Sequence, residues 1–150
     1  MAFNTYLKLK GQRSGEIQGP STNNRHPHEW IVTSTSHEVT SPRDPQSGLP
    51  TGKRIHRPMV VTVAWGANAP IIWGVLSTNE NLSKVTISFT SSERDREQDY
   101  YTITLTNANI ADIIEVSSGN TPALQVTFTY QKIEASTGGA SWEDDWESRV

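Results

Sequence analysis

The sequence predicts an all-β domain of antiparallel strands with a single α-helix, and three observations carry that prediction. Apolar and polar residues alternate with period two in several long runs, which places successive apolar side chains on one face of a strand. The polar positions in those runs are mostly Thr and Ser, which tolerate extended backbone and meet water without adding charge. Only one stretch has helical spacing, and it carries a proline where a first turn accepts one.

In chain order, strands are expected at 6–10, at Trp30–Ser36 and at 59–63. The helix follows: Asn68 is placed to cap it, Pro70 suits its first turn, and Ile71, Ile72, Val75 and Leu76 share one face. Gly74 inside it costs about 1 kcal/mol relative to Ala. Val85, Ile87 and Phe89 then alternate with Lys84, Thr86, Ser88 and Thr90, and Tyr101, Ile103 and Leu105 with Thr102, Thr104 and Thr106. Between them the charged run Ser92-Glu93-Arg94-Asp95-Arg96-Glu97-Gln98-Asp99 reads as a solvated hairpin tip. A separate strand is expected around 110–116, and Leu124, Val126, Phe128 and Tyr130 alternate with Gln125, Thr127 and Thr129 in the last one. Closure of such strands into a barrel would remove their exposed edges. The Thr, Ser and Gln faces suit an aqueous lumen and bulk solvent equally.

A chain of 150 residues reads as one domain, 1–150, long enough for a core of its own. The absence of cysteine excludes disulfides, thiolate metal sites and cysteine nucleophiles. A hydrophobic fraction of 34% is low, so much of the chain stays polar and exposed, as suits an assembly or a wet channel. Met1-Ala2-Phe3-Asn4-Thr5-Tyr6-Leu7-Lys8 lacks the apolar run of a signal peptide, and no stretch approaches a membrane span. The expectation is a cytoplasmic start, no membrane insertion, and any release by a route other than general secretion. Net charge is −3, yet residues 1–58 hold eight Lys/Arg against four acids and residues 59–150 five against twelve. No basic stripe interleaved with aromatics appears, which argues against nucleic acid. Unlike halves suit head-to-tail self-association.

Two segments fall outside the alternating pattern. Ser41-Pro42-Arg43-Asp44-Pro45-Gln46-Ser47-Gly48-Leu49-Pro50-Thr51-Gly52 is a long Pro- and Gly-rich loop between strands, a kind of segment that is usually functional or disordered. Residues 135–150 read as an acidic C-terminal tail, in which Glu143, Asp144, Asp145 and Glu147 are solvated or dock on a neighbour's basic surface, beneath Trp142 and Trp146 spaced four apart.

Chemistry is sought with little return. Gly48-Leu49-Pro50-Thr51-Gly52-Lys53-Arg54 has three residues between its glycines where a phosphate loop has four, and Arg54 stands where the magnesium-binding hydroxyl belongs. His26-Pro27-His28 with His37-Glu38 lacks a third ligand at metal-site spacing. The histidines read instead as surface or interface groups, with His37 and His56 bracketing the long loop and placed to meet at its base. No nucleophile elbow or dinucleotide motif appears. The reading is a protein without cofactor or metal, and not an enzyme.

The run Ser36-His37-Glu38-Val39-Thr40-Ser41-Pro42-Arg43-Asp44-Pro45-Gln46-Ser47-Gly48-Leu49-Pro50-Thr51-Gly52-Lys53-Arg54-Ile55-His56-Arg57-Pro58 closely resembles the signature loop of the haemolysin-coregulated protein (Hcp) family of bacterial type VI secretion. The similarity continues in Tyr6-Leu7-Lys8-Leu9-Lys10-Gly11-Gln12, in the helix region with Asn79-Glu80-Asn81-Leu82 after it, in Tyr100-Tyr101-Thr102-Ile103-Thr104-Leu105-Thr106-Asn107-Ala108, in Phe128-Thr129-Tyr130-Gln131-Lys132-Ile133, and in Glu143-Asp144-Asp145-Trp146. The chain departs from the pattern at Ala64-Trp65-Gly66, where charged residues usually precede the helix.

The resemblance implies two antiparallel sheets forming a β-barrel with one flanking helix, and a homohexameric ring around a wide channel. It implies rings that stack into an inner tube, driven out by a contractile sheath, in contact with a spike protein and carrying effector cargo. The protein itself is secreted through that apparatus. The long loop, extended over 41–53, is expected to protrude and contact the next ring through Ser41, Pro42, Arg43, Asp44, Pro45, Gln46, Ser47, Gly48, Thr51, Gly52 and Lys53, with Arg43 and Asp44 as leading polar contacts. Subunit contacts are assigned to His37, Glu38, Arg54, His56, Trp142 and Trp146. The alternative is a paralogue that forms rings and binds effectors as a chaperone without building tubes.

Overall fold

A computed structural model describes residues 2–93, 96–118 and 120–145. Among them are strands β1 (Ala2–Gly11), β2 (Gly15–Ile17), β3 (Trp30–Ser36), β4 (Val39–Thr40), β5 (Ile55–His56), β6 (Met59–Ala64), β7 (Leu82–Glu93), β8 (Arg96–Ser118), β9 (Thr121–Ser136) and β10 (Ser141–Asp145), with helix α1 (Ala69–Ser77) between β6 and β7. Arg94 and Asp95, which the sequence places in the charged hairpin tip, lie outside the described residues, as do Trp146 and Glu147.

Six strands close into an antiparallel barrel in the order β9-β6-β3-β1-β7-β8, sealed where β8 returns to pair with β9. The sheets implied by the family resemblance are joined along both seams, so backbone hydrogen bonding runs unbroken around the barrel and its strands have partners on both sides where they close it. The core is the inward half of each alternating run: Leu7, Leu9, Val61, Val63, Val85, Ile87, Leu105, Leu124, Val126, Phe128 and Ile133 all fall below about one-fiftieth exposure, around a fully buried Trp30. Strand β10 and the small β2 extend the sheet outside the ring of six.

The two strands expected at 101–106 and 110–116 are one continuous strand, β8, 23 residues long. Its inward set begins at Ile103 and Leu105, shifts to Ala108 and Ile110, and shifts again at Ile113. Asn107 in the left-handed region (φ 51) causes the first shift and a register irregularity between Ile110 and Asp112 the second. Each irregularity exchanges the inward and outward faces, so the period-two signal breaks although the hydrogen bonding continues.

The polar side of β7 is also drier than its composition suggests. Ser88 and Thr90 are buried, and Ser88 sits directly across from Tyr6, whose ring is stacked on His26 at 4.8 Å. The segment between β2 and β3 therefore covers the outer face there.

Helix α1 buries Ala69, Ile72 and Val75, with Leu76 packed partly against the core. Ile71 is 42% exposed, contrary to its expected place on the apolar face, because it lies at the edge of the stripe and the barrel takes the other flank. Asn68 occupies the capping position but makes no side-chain cap; its amide donates to the Gln18 carbonyl at 2.8 Å instead. The helix ends where the Gly74 carbonyl accepts from the Thr78 N–H and from the hydroxyls of Ser77 and Thr78.

Candidate functional site: the long loop and its base

The loop between β4 and β5 has an internal structure of its own. Its stem is the two-residue ladder Val39↔His56 and Thr40↔Ile55, continued by the Arg57 N–H donating to the Glu38 carbonyl at 3.0 Å. Beyond the stem, the Thr51 N–H reaches the Pro42 carbonyl at 3.0 Å, Arg43 bridges to Pro50, and the Asp44 N–H reaches the Leu49 carbonyl at 2.8 Å. Asp44 then organises the tip: its carboxylate accepts from the Gln46 N–H at 3.1 Å and from the Ser47 hydroxyl at 2.9 Å, and its carbonyl from the Gly48 N–H at 2.8 Å. Those hydrogen bonds hold the Asp44 carboxyl below its ordinary pKa. Gly48 takes φ +73, which a side chain would strain. Proline supplies fixed φ values without needing a donor, so a segment read as irregular folds as a hairpin. It is solvent-exposed for most of its length, with Leu49 at 64%.

Ser41, Pro42, Arg43, Asp44, Pro45, Gln46, Ser47, Gly48, Thr51, Gly52 and Lys53 thus share one projecting element. His37 and His56 do converge at its base, through Tyr130 on β9. The Tyr130 hydroxyl donates to the Arg57 carbonyl at 3.2 Å and lies 3.1 Å from His37 Nε2 and 3.4 Å from His56 Nδ1. Burial lowers the His37 pKa, with His56 nearby adding to it, so a neutral ring is favoured. Next to it is a small cavity of 150 Å³ lined by His56, Arg57, Pro58, Thr129 and Tyr130.

The acidic tail is partly strand. Ser141–Asp145 pairs with β9 from Ser141↔Ser136 to Asp145↔Lys132, so Asp144 faces the base of the loop within its own chain. Arg54 grips the Asp144 carboxylate through Nε and Nη2 and the Asp145 carbonyl at 3.1 Å, while His56 Nε2 meets Asp144 Oδ2 at 2.7 Å. The Arg54 hydrogen bonds hold the Asp144 carboxyl below its ordinary value against the opposing effect of burial, and His56 adds to the lowering. The expectation of a solvated acid, or one docked on a neighbour, is corrected for Asp144 in this way. Trp142 is 45% exposed on the same strand, and Glu38 accepts from the Thr40 hydroxyl at 3.2 Å. Sequence reasoning missed Tyr130 and Asp144 as organisers; the available signal was a Tyr on an inward position, whose hydroxyl needs a partner once buried.

A second polar cluster lies away from the loop. His26 is 7% exposed, with Nδ1 at 2.8 Å from Glu29 Oε2 and Nε2 at 2.7 Å from Asp99 Oδ1. These partners separate His26 from His37, and among the described residues no group of three His, Asp or Glu is placed to hold a metal ion. An open cleft of 730 Å³ is lined by Gln12, Asn81, Asn107, Asn109, Thr129, Tyr130 and Gln131. No helix is long and apolar enough to cross a membrane among the described residues.

The fold agrees with comparisons to known proteins. A family model described as type VI secretion system effector, Hcp, matches residues 6–136. The chain belongs to the Hcp family of the type VI secretion system. This Hcp is 35% identical to the major exported protein of Pseudomonas aeruginosa over an alignment covering all of this chain and 99% of that one. Among solved structures, it is similar to a crystal structure of an Hcp protein, with a TM-score of 0.89 and 27% identity over 97% of this chain and 98% of the other. It is also similar to the secreted protein Hcp3 from Pseudomonas aeruginosa, with a TM-score of 0.77 and 27% identity over 95% and 99% of the two chains. The Hcp1 protein of E. coli EAEC 042 shares the fold, with a TM-score of 0.88 at 23% identity over 97% and 99%. The Hcp family is one of structural, secreted proteins of that system.

Proposed function

We propose that this Hcp is a subunit of the type VI secretion inner tube, forming hexameric rings that stack through the long loop and carry effector proteins along the channel. Its partners in that role are further copies of itself, the sheath, the spike and the cargo; its mechanism is polymerisation, with no bond made or broken. It starts in the cytoplasm and leaves through the apparatus it builds. Export of a relative that aligns over the full chain supports the last step.

The observation that carries the reading is a loop that is internally hydrogen-bonded yet exposed. Order without burial is costly in conformational entropy, and a surface of that kind is explained when a second molecule covers it. The isolated subunit also exposes Phe3, Leu49, Trp65, Trp73, Val116 and Trp142, a number of large apolar side chains that suits contact with other copies.

The test is the mass and shape of the purified protein, by light scattering after size exclusion and by negative-stain imaging across salt concentrations. Rings that stack into tubes support the proposal. Rings that never stack favour an effector-binding paralogue, and a strict monomer overturns both.

A further inference from the structure

The long loop is fastened to the barrel at both its start and its end. At its start, His37 meets Tyr130 on β9 at 3.1 Å. At its end, Arg54 and His56 both reach Asp144 on β10, the first as a two-pronged pair and the second at 2.7 Å. The stem between them is only two residue pairs long, and a two-stranded ladder of that length does not hold its own angle. A guanidinium fork on a carboxylate does, because both partners are planar and two parallel bonds fix direction as well as distance. Strand β10 is in turn a firm anchor. It pairs with β9 at five successive positions and continues the line of β6 along the same edge, β6 taking residues 123–128 of β9 and β10 taking 132–136.

We infer that Asp144 is the positioning residue of the long loop: the C-terminal strand, through Asp144 on Arg54 and His56, sets the angle at which the loop leaves the barrel. The consequence for ring stacking rests on the tube reading; the coupling of strand to loop does not. A carboxylate in the C-terminal strand thereby controls a surface 90 residues earlier in sequence. Anything that lifts β10 from β9 releases the loop, so the C-terminal strand is also where stacking is open to control.

The test uses the full chain with Asp144→Asn, which keeps the side-chain shape and removes the charge. Hydrogen exchange of the stem amides, Arg57 and the β4–β5 pairs, is expected to accelerate about tenfold while amides of β1 and β7 stay protected. Arg54→Gln, made from the loop side, is expected to accelerate the same amides, and the double variant by less than the two effects combined, since the Arg54–Asp144 pair is lost in both while the bonds from His56 to Asp144 and from Arg54 to the Asp145 carbonyl are each lost in only one. Ring mass is expected to stay constant while the fraction of rings found in tubes falls several-fold. Unchanged stem exchange in Asp144→Asn, or additive effects in the double variant, overturns the inference. Were the unsubstituted protein to form no tubes, the tube reading would fail while the exchange result still decided the coupling. Loss of protection in β1 and β7 would mark general unfolding in Asp144→Asn, and the Arg54→Gln exchange would then decide it.

Discussion

Tyr130 on β9 holds His37, 93 residues away in sequence, with its hydroxyl 3.1 Å from Nε2. Because the Tyr130 proton goes to the Arg57 carbonyl, the His37 ring donates from Nε2. Burial, with Asp144 nearby, pushes the Tyr130 pKa up to about 12, so the hydroxyl remains a donor over the physiological range. Tyr130→Phe keeps the ring and leaves His37 and the Arg57 carbonyl short of a partner. The expected loss is about 1–2 kcal/mol, read as a lower urea midpoint with an unchanged slope at fixed protein concentration.

His26 gives the stability a pH dependence of definite sign. Burial works against a charged ring, but hydrogen bonds to Asp99 and Glu29 outweigh it and raise its pKa. Both carboxylates only accept, so both ring nitrogens must carry protons for the two bonds to coexist. A raised folded pKa means a contribution fully present below the unfolded value near 6.5 and lost as pH rises through the folded value. Glu97, Arg25 and Tyr6 surround the same cluster. The expected outcome is an NMR titration of His26 above that of a free imidazole, and a fall in stability across that interval that His26→Ala abolishes. His37, whose folded pKa is lowered, contributes with the opposite sign, its share being lost as pH falls through the folded value.

Glu80 ties the end of α1 to the β1–β2 turn. Its carboxylate accepts from the N–H groups of Arg13 and Ser14 at 3.1 and 2.8 Å and from the Ser14 hydroxyl at 2.8 Å. Burial pulls its pKa upward, and those bonds hold it below the ordinary value all the same. Glu80→Ala is expected to cost about 1–3 kcal/mol. A depressed carboxylate stabilises above its unfolded pKa, near 4, and the contribution is lost as pH falls through the folded value. Acid unfolding of Glu80→Gln should therefore have a shallower pH dependence than that of the unsubstituted chain.

Gly66 lies against the Trp30 ring. A Cβ there would stand 2.9 Å from Trp30 Cζ3 and 3.0 Å from Pro20 Cδ, and the fully buried indole has no room to move. Gly66→Ala is expected to lower stability by about 1–3 kcal/mol, measured by thermal or urea unfolding. Part of the Ala64-Trp65-Gly66 departure from the family pattern thus has a packing reason.

Asp44 should matter to assembly more than to folding. Asp44→Ala removes the acceptor for the Gln46 N–H and the Ser47 hydroxyl at an exposed tip and leaves the barrel untouched. The expected result is an unchanged unfolding midpoint with fewer stacked rings in negative stain at equal ring mass.

Where inward side chains keep strict period two the strand was legible residue by residue, as for Leu124, Val126, Phe128 and Tyr130, all buried in β9; Trp30–Ser36 matches β3 in both bounds despite the irregularity between Val32 and Ser34. Strand β8 was not, because Asn107 and the irregularity before Asp112 twice exchange its faces. Ser88 and Thr90 read as solvent-facing because strand alternation does not show what covers them: Tyr6, stacked on His26, lies across from Ser88, and the Thr90 hydroxyl meets the Asn4 carbonyl and the Glu97 carboxylate. The long loop was recognisable as a unit, and the meeting of His37 and His56 was foreseeable from their positions on either side of it. That Tyr130 mediates the meeting was not.

The sequence by itself determined the β class, the single helix, most strand positions and the family, since each depends on neighbours within a few residues or on an unbroken motif. Tertiary structure alone decided that Asp144 belongs to Arg54 and His56, that His26 lies between Glu29 and Asp99, and that α1 turns Ile71 outward. Those pairings join segments up to 90 residues apart. They exist because closing six strands into a barrel brings β10 into line with β6 and folds the β2–β3 segment over β1 and β7, and no local periodicity encodes which distant side chains such a closure will bring together.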